Sequence, residues 1–317
     1  MEVWVEKYRP KKLDDIIGQD IVIKGLKSYV ESKNLPNLLF SGPPGCGKTG
    51  AAISLVRELY GDMWRYNFIE LNGSDDRGID VVRGKIKDFA RSSTVGDAEF
   101  KIIFLDESDA LTLDAQAALR RTMENYTDIC RFILSCNYSS KIIEPIQSRC
   151  SVYKFRRLPD DAVIERIMYI AKEENVDISP GAINAIKYVS QGDLRRAINA
   201  LQSAAIIDKK IDADMIYKTS ALAKPEDIDD LILLSLEGNI KAHVKLNYLL
   251  NDEGLAGTDI TGQIYRQIFN INIPDKLKIG LIDFIGEIDF RISEGANERL
   301  QLGALLSKFM LYGINKT

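Results

Sequence analysis

The chain of 317 residues has little histidine and cysteine, which limits the chemistry open to it. With a single histidine, His243, multi-histidine metal sites and histidine-based nucleophilic catalysis are strongly disfavoured. The four cysteines form no Cys-x-x-Cys pair, which argues against a structural zinc site and a disulfide framework. We therefore expect reduced thiols in the core or near a site, and a surface position for His243. The cysteines are Cys46, Cys130, Cys136 and Cys150.

Long apolar runs and an excess of basic charge are also missing. No run approaches the ~18 apolar residues that can cross a bilayer, and residues 1–10 contain no signal-peptide core. These absences predict a cytoplasmic protein, or a nuclear one in a eukaryote. The net charge of −4 gives no support to nucleic-acid binding by the whole molecule, although a local basic stripe can still bind phosphates.

The most informative feature present is the segment GPPGCGKT at residues 42–49. It matches the phosphate-loop pattern, in which glycines let backbone N–H groups form an anion cradle at the start of a helix. In this pattern Lys48 reaches the β- and γ-phosphates, and Thr49 supplies its hydroxyl to Mg²⁺. We therefore predict that ATP and Mg²⁺ are bound here. The predicted nucleotide-binding residues of this segment are Gly42, Pro43, Pro44, Gly45, Cys46, Gly47, Lys48 and Thr49.

Two later strand ends carry polar side chains suited to phosphoryl transfer. A predicted strand ends at Asp106 and Glu107, which we expect to bind Mg²⁺ through its water shell and to polarise the attacking water, respectively. Another predicted strand ends at Asn137, at the edge where open α/β sheets hold ligands, so its amide can orient the water. The alternatives are that the acids only cap a helix and that Asn137 only begins a turn.

Two arginines are candidates for contacting the γ-phosphate. Arg195 lies in the first turn of a predicted helix and could reach the phosphate across a domain cleft. Arg149 follows the strand before Asn137 and could point outward to the nucleotide of a neighbouring chain. Spacing alone assigns neither residue, because most surface arginines are solvated or weakly paired.

The chain divides into an α/β part and a helical part. Short apolar strands alternate with helical patterns up to about residue 159, which predicts a parallel sheet with helices on both faces. After residue 160 we predict helices and no strands, with a second break near residue 225. This gives three predicted domains, at residues 1–159, 160–225 and 226–317. The predicted strands are residues 37–40, 68–71, 101–105, 131–135 and 152–155.

One predicted helix has an apolar stripe and, beside it, a row of cations that recur every four residues. Cations in a line can contact DNA phosphates, which reads backbone shape and not base sequence. The alternative is a solvated face that Asp80 and Asp88 balance. The apolar positions are Ile79, Val82, Ile86 and Phe89, and the predicted DNA-binding cations are Arg83, Lys87 and Arg91.

Taken together, the motifs resemble those of AAA+ clamp-loader ATPases, and among them the archaeal type of replication factor C small subunit. The resemblance covers essentially the whole chain. Ser108 departs from it, because many relatives have alanine there. We expect this small change to be harmless, and the alternative is that the hydroxyl alters the hydrogen bonding of Glu107. The matching segments are residues 4–10, 18–19, 42–49, 72–78, 105–107, 115–124, 148–150 and 192–196.

The resemblance implies a role in DNA replication as one subunit of a hetero-oligomer. Such proteins form a five-membered, partly open ring with other clamp-loader subunits, including a large subunit. With ATP bound, the ring grips and opens a sliding clamp and places it on primer–template DNA. Hydrolysis, stimulated by DNA and the clamp, then releases the clamp. Residues 160–225 would be the lid domain and residues 226–317 an oligomerising collar.

The resemblance also implies roles for individual residues. Arg149 is similar to an arginine finger that acts in trans, Asn137 to the first sensor and Arg195 to the second. Gln116 is similar to a residue that couples neighbouring subunits, and Arg77 to a basic switch that restrains Glu107 until DNA arrives. The wall on the adenine side would be formed by Val5, Tyr8, Arg9 and Pro10.

Two other functions are compatible with part of the pattern. A different AAA+ machine, such as a branch-migration helicase or an origin-binding ATPase, usually ends in a winged-helix domain with a β-hairpin. Residues 226–317 show only helical patterns, which disfavours that reading. The other is a scaffold that binds ATP only to stabilise its structure. The presence of Glu107, Asn137 and Arg195 disfavours this function.

Overall fold

A computed structural model describes residues 2–74 and 82–314 of the chain. The chain forms two compact units, one made of residues 1–176 and 190–202, the other of residues 177–189 and 203–317. The boundaries of the three predicted domains divide the sequence differently and stay predictions.

The first unit is built on a five-stranded parallel sheet with the strand order β2-β3-β4-β1-β5. The five predicted strands are confirmed, each to within one residue at either end. The parallel sheet is therefore also confirmed. The strands are β1 (Leu38–Ser41), β2 (Phe68–Asn72), β3 (Lys101–Asp106), β4 (Cys130–Cys136) and β5 (Ser151–Lys154).

The three central strands are apolar along almost their whole length because both faces of the sheet are covered. Side chains that alternate along each strand enter two different core clusters. Phe40, Phe104 and Ile133 belong to one cluster, whereas Leu105 and Leu134 belong to the other. Each such side chain contributes about 1.5–3 kcal/mol when fully buried. At the edge, β5 alternates between half-buried and exposed residues.

Seven α-helices of the described chain lie in the first unit. The phosphate-loop helix, α3, begins at Lys48 and ends at Tyr60, which confirms the predicted helix. Thr112 caps α5, since its Oγ1 accepts a hydrogen bond from the N–H of Ala115 at 3.2 Å. The helices are α1 (Trp4–Lys7), α2 (Asp20–Ser32), α3 (Lys48–Tyr60), α4 (Lys87–Arg91), α5 (Leu113–Asn125), α6 (Glu144–Gln147) and α7 (Asp160–Glu173).

The following helices, α8 to α15, run from residue 180 to residue 314, and the first two pass from one unit into the other. Ser179 and Asp193 cap α8 and α9, because their side chains accept hydrogen bonds from the N–H groups of Ala182 and Arg196 at 3.2 and 3.0 Å. The helices are α8 (Pro180–Ser190), α9 (Leu194–Ile207), α10 (Ala213–Thr219), α11 (Pro225–Leu236), α12 (Lys241–Asn247), α13 (Gly257–Gln267), α14 (Asp275–Ser293) and α15 (Glu298–Ile314).

Two details of the second unit differ from the sequence prediction. Short strands β6 (Asp177–Ile178) and β7 (Lys210–Ile211) pair in parallel, so the prediction of no strands after residue 160 was wrong. Two residues are too few to show a strand periodicity. His243 is half-buried, because α12 packs against α15, so the residue expected at the surface is only partly exposed. Among the described residues, no helix is long and apolar enough to span a membrane.

Candidate active site

The phosphate loop opens onto a cavity of about 160 Å³ in the first unit. Most of the predicted site residues line this cavity although they come from distant parts of the sequence. Gly42 and Pro43 are not lining residues, since the loop turns into the cavity only from Pro44 onward. The predicted residues that line it are Val5, Tyr8, Arg9, Pro10, Pro44, Gly45, Cys46, Gly47, Lys48, Thr49, Asp106, Glu107, Asn137 and Arg195.

Glycine is required in the loop for conformation and for space. Gly45 and Gly47 have φ angles of 66° and 98°, which side chains strongly disfavour. A Cβ on Gly45 would lie 1.7 Å from Oδ1 of Asp193. The N–H of Leu194 donates to the carbonyl of Gly45 at 3.1 Å. The loop therefore packs directly on the start of α9, which brings Arg195 to the cavity.

Lys48 and Thr49 are already engaged with the polar groups around them. Nζ of Lys48, a largely buried residue, donates to the carbonyls of Gly42 and Pro43 at 2.6 and 2.8 Å and to Oδ1 of Asn137 at 3.2 Å. Oγ1 of Thr49 donates to Oδ2 of Asp106 at 2.6 Å. Hydrogen bonds thus connect the phosphate loop with Asp106 at the end of β3 and with Asn137 directly after β4.

Glu107 is exposed and has a left-handed backbone conformation, with φ 49° and ψ 39°. Such a conformation costs roughly 1–3 kcal/mol in a residue other than glycine and persists only where the surroundings impose it. The loop after β2 packs closely against this part of the backbone. The N–H of Gly73 donates to the carbonyl of Asp106 at 2.8 Å, and a Cβ on Gly73 would lie 2.6 Å from the carbonyl oxygen of Glu107.

The residues after Glu107 hold the end of β4 in place. Oδ2 of Asp109 accepts hydrogen bonds from the N–H groups of Asn137 and Tyr138 at 3.2 and 3.3 Å. The buried hydroxyl of Ser108 donates to the carbonyl of Ser135 at 2.7 Å. Ser108 therefore bonds to β4 and not to the Glu107 side chain.

The wall around Tyr8 is fixed by residues that the sequence did not single out. The hydroxyl of Tyr8 donates to Oε1 of Glu174 at 2.7 Å, and its carbonyl accepts from Arg166 at 2.7 Å. Partial burial, and then the Glu174 carboxylate, raise the pKa of Tyr8 to about 12. Arg166 also lines the cavity, but nothing in its helical pattern marks it in the sequence. The apolar lining residues that were missed are Ile16, Ile17, Leu158, Leu194 and Ile198.

Arg149 is not among the residues that line the cavity. Its guanidinium is about two-fifths exposed, lies 2.6 Å from Oε1 of Glu124 and donates to the carbonyl of Pro145 at 2.7 Å. Gln116 is buried within the same unit. Its amide donates to the carbonyls of Leu111 and Lys141 at 3.2 and 3.0 Å and accepts from the N–H of Ile143 at 2.9 Å. Gln116 thus holds the segment between Asn137 and Arg149.

The predicted DNA-facing helix is described from Val82, as one π-helical turn followed by α4. Ile86 is fully buried, Lys87 is half-buried and Arg91 is exposed, with its Nε donating to the hydroxyl of Tyr126 at 3.2 Å. The predictions for Arg77 and Ile79 lie outside the described residues. So do the side chains of Val82 and Arg83.

The donors at the base of the cavity fit magnesium held jointly with phosphates. Thr49 and Asp106 supply oxygen ligands, and Mg²⁺ is typically bound by one or two carboxylates together with substrate phosphates and water. In the parts of the chain that the structure describes, no group of three or more histidine, cysteine, aspartate or glutamate residues could hold a metal by itself. All four cysteines are free, and three of them are buried.

Comparison with known proteins agrees with this geometry. Residues 38–158 match the ATPase family associated with various cellular activities (AAA). Residues 165–206 match an AAA+ ATPase lid domain, described as RCF1/5-like, and residues 223–308 match the replication factor C C-terminal domain. The C-terminal segment therefore belongs to a different domain family from the winged-helix domain expected of the alternative AAA+ machines.

Relatives match along nearly the full length. A replication factor C small subunit from Methanosarcina acetivorans is 57% identical, covering 98% of this chain and 95% of the relative. One from Archaeoglobus fulgidus is 58% identical, covering 96% of both chains. Among solved structures, a RuvB variant from Thermotoga maritima has a TM-score of 0.55 at 23% identity. It covers 82% of this chain and 89% of that one, a likeness of fold alone.

The matching domains and the full-length relatives confirm the resemblance that the motifs indicated, including the AAA+ fold with its lid and helical C-terminal domains. With an AAA domain and these relatives, the chain is a nucleotide-binding ATPase of a DNA-replication clamp loader. The chain belongs to the replication factor C small-subunit family.

Proposed function

We propose that the cavity binds ATP with Mg²⁺, and that its hydrolysis drives the opening of a sliding clamp and its loading onto primer–template DNA. One observation carries this proposal: Lys48, Asp106, Asn137 and Arg195 line a single cavity although they belong to four separate segments. This cavity is lined by a phosphate-binding loop, a metal ligand, an amide and a cation. Such a lining suits phosphoryl transfer, which depends mainly on positioning and charge neutralisation.

Within the cavity, Lys48 would exchange its bonds to the loop carbonyls for bonds to the β- and γ-phosphates. Thr49 and Asp106 would hold Mg²⁺, which neutralises phosphate charge when bound. Glu107 would accept a proton from the attacking water, while Asn137 orients that water. Two observations support this role: Glu107 is exposed, and it lines the cavity directly after Asp106.

Arg195 would contact the γ-phosphate of its own chain, whereas Arg149 would act on the nucleotide of a neighbouring chain. The position of Arg149 outside its own cavity supports an action in trans. Gln116 would couple neighbours by holding the segment that leads from Asn137 to Arg149. This coupling requires a ring of several chains, which we propose contains other clamp-loader subunits, including a large one, joined through residues 226–317.

Primer–template DNA would be held through its phosphates by Arg83, Lys87 and Arg91, independently of base sequence. The half-buried Lys87 and the exposed Arg91 lie on one short helix segment, which supports a contact with successive phosphates. Arg77 would restrain Glu107 until DNA binds, so that DNA and clamp together stimulate hydrolysis. We place this activity in the cytoplasm, or in the nucleus if the source is eukaryotic.

A Glu107→Gln variant tests the proposal. The amide is nearly isosteric and cannot take up a proton from water, so turnover should fall roughly 10²–10⁴-fold while ATP affinity stays within about threefold. Phosphate release and ATP titration measure the two effects. As a control, Glu99→Gln, at an exposed position away from the cavity, should change neither. Full turnover in Glu107→Gln would remove Glu107 from the catalytic role.

A further inference from the structure

A buried hydroxyl at the cavity has no partner in the described part of the chain. Ser135, near the end of β4, is fully buried and lines the cavity. Its carbonyl accepts a hydrogen bond from Ser108, but within residues 2–74 and 82–314 no group hydrogen-bonds to its own Oγ. Buried hydroxyls almost always have partners, and an unpaired one destabilises the fold. A partner from a bound ligand would explain why a serine is found here.

The strand register places Ser135 beside Asp106. Leu105 of β3 pairs with Leu134 of β4, so Asp106 and Ser135 are the next neighbours along the two strands. Phe104 and Ile133, two positions earlier, enter the same core cluster. Because side chains alternate along a strand, Asp106 and Ser135 point to this same face.

The phosphate-loop helix covers this face of the sheet. Ala51 and Leu55 of α3 belong to the same cluster as Phe104 and Ile133. Thr49, in the first turn of α3, reaches Oδ2 of Asp106. The hydroxyl of Ser135 therefore lies on the side of the sheet where the cavity has its oxygen donors.

We propose that Ser135 is a further residue of the nucleotide site, and that its hydroxyl hydrogen-bonds to a water molecule of the hydrated magnesium ion held by Asp106. This inference rests on the proposed function. Mg²⁺ keeps several waters in such sites, and a hydroxyl can donate to or accept from one of them. Groups in this outer position orient the direct ligands, and their loss weakens metal binding roughly 10–100-fold.

A Ser135→Ala variant tests the inference by ATP titration with Mg²⁺ and with EDTA, and by thermal unfolding without nucleotide. The Kd for ATP should rise about tenfold with Mg²⁺ and stay unchanged in EDTA. Because the variant removes an unpaired group, its melting temperature should not fall. An unchanged Kd with Mg²⁺, or a melting temperature lower by more than about 2 °C, would overturn the inference.

Two further variants make the result specific. Ser220, in the second unit, has another buried Oγ without a partner among the described residues, so Ser220→Ala should leave both Kd values unchanged. Lys48→Ala tests the proposed site itself. If Lys48→Ala weakens ATP binding and Ser135→Ala does not, only the inference about Ser135 fails. If Lys48→Ala leaves ATP affinity unchanged, the nucleotide site is wrongly assigned and the proposed function fails with it.

Discussion

Two cations inside the cavity, Lys48 and Arg166, and two on the outer surface of the same unit, Arg149 and Arg91, are held in different ways. Inside, Lys48 and Arg166 donate to backbone carbonyls of the segments that form the walls. Outside, Arg149 is paired with the carboxylate of Glu124 on α5. Arg91 donates to the phenol of Tyr126, which directly follows α5. The inner cations stabilise the shape of a site within one chain. The outer ones are partly exposed and can exchange their partners for groups of another molecule.

The largest effect that would test this comparison concerns Arg149. In an assembled ring, Arg149→Ala should lower ATP hydrolysis at least 10²-fold, since an arginine finger contributes roughly 10³–10⁵. ATP affinity of the single chain should be unchanged, because Arg149 lies outside its own cavity. Steady-state phosphate release and ATP titration measure the two quantities.

Lys27→Ala provides a control for Arg149→Ala. Lys27 forms a partly exposed ion pair with Asp14 in the first unit and does not line the cavity, so its loss should affect hydrolysis little. Weaker ATP binding by isolated Arg149→Ala would show that this arginine acts within its own chain. The proposal that Arg149, as an outer cation, acts on another molecule would then be wrong.

The sequence was sufficient for the sheet, the phosphate loop and most of the cavity, because these are set by local patterns. Apolar runs mark β1, β3 and β4, and the polar residues that follow them meet wherever parallel strands end together. Arg166 and Asp109 could not be found in this way. They act through contacts with Tyr8 and Asn137, which are 158 and 28 residues away in sequence.

The unusual backbone of Glu107 was also beyond the sequence. Glutamate has no preference for positive φ, and the close approach of Gly73 to its carbonyl oxygen is a contact between segments distant in sequence. Ser108 shows the same limit, since its neighbours in sequence do not reveal that its buried hydroxyl bonds to the carbonyl of Ser135. Contacts between distant segments are involved in both cases.

A smaller effect is expected for the cations on the helix that includes α4. Lys87→Gln and Arg91→Gln should each weaken DNA binding several-fold near 0.1 M salt, equally for different sequences. Each should also reduce the slope of log K against log salt by about 0.9. Lys27→Gln, which removes an exposed lysine paired with Asp14, is the control and should leave the slope unchanged. Unaltered slopes in both test variants would mean that this face is merely solvated.

The smallest effect concerns Tyr8, whose carbonyl accepts a hydrogen bond from the inner cation Arg166. The pKa of its hydroxyl is about 12 in the folded chain and about 10 in an unfolded one, so the folded chain holds its proton more tightly. The stability that this provides is complete below pH 10 and is lost as the pH rises toward 12. Tyr8→Phe cannot titrate, and it lacks the bond to Glu174.

Tyr8→Phe should therefore be less stable than the parent by about 1 kcal/mol at pH 8, with the difference shrinking steadily from pH 10 to pH 12. Because Tyr8 is only partly buried, solvent screening keeps the change over this interval near or below 1 kcal/mol. Urea unfolding of both proteins at pH 8, 10 and 11 measures the difference directly, and the other titrating tyrosines cancel in it. A constant difference would mean that neither burial nor the carboxylate of Glu174 raises the pKa of Tyr8 in the folded chain.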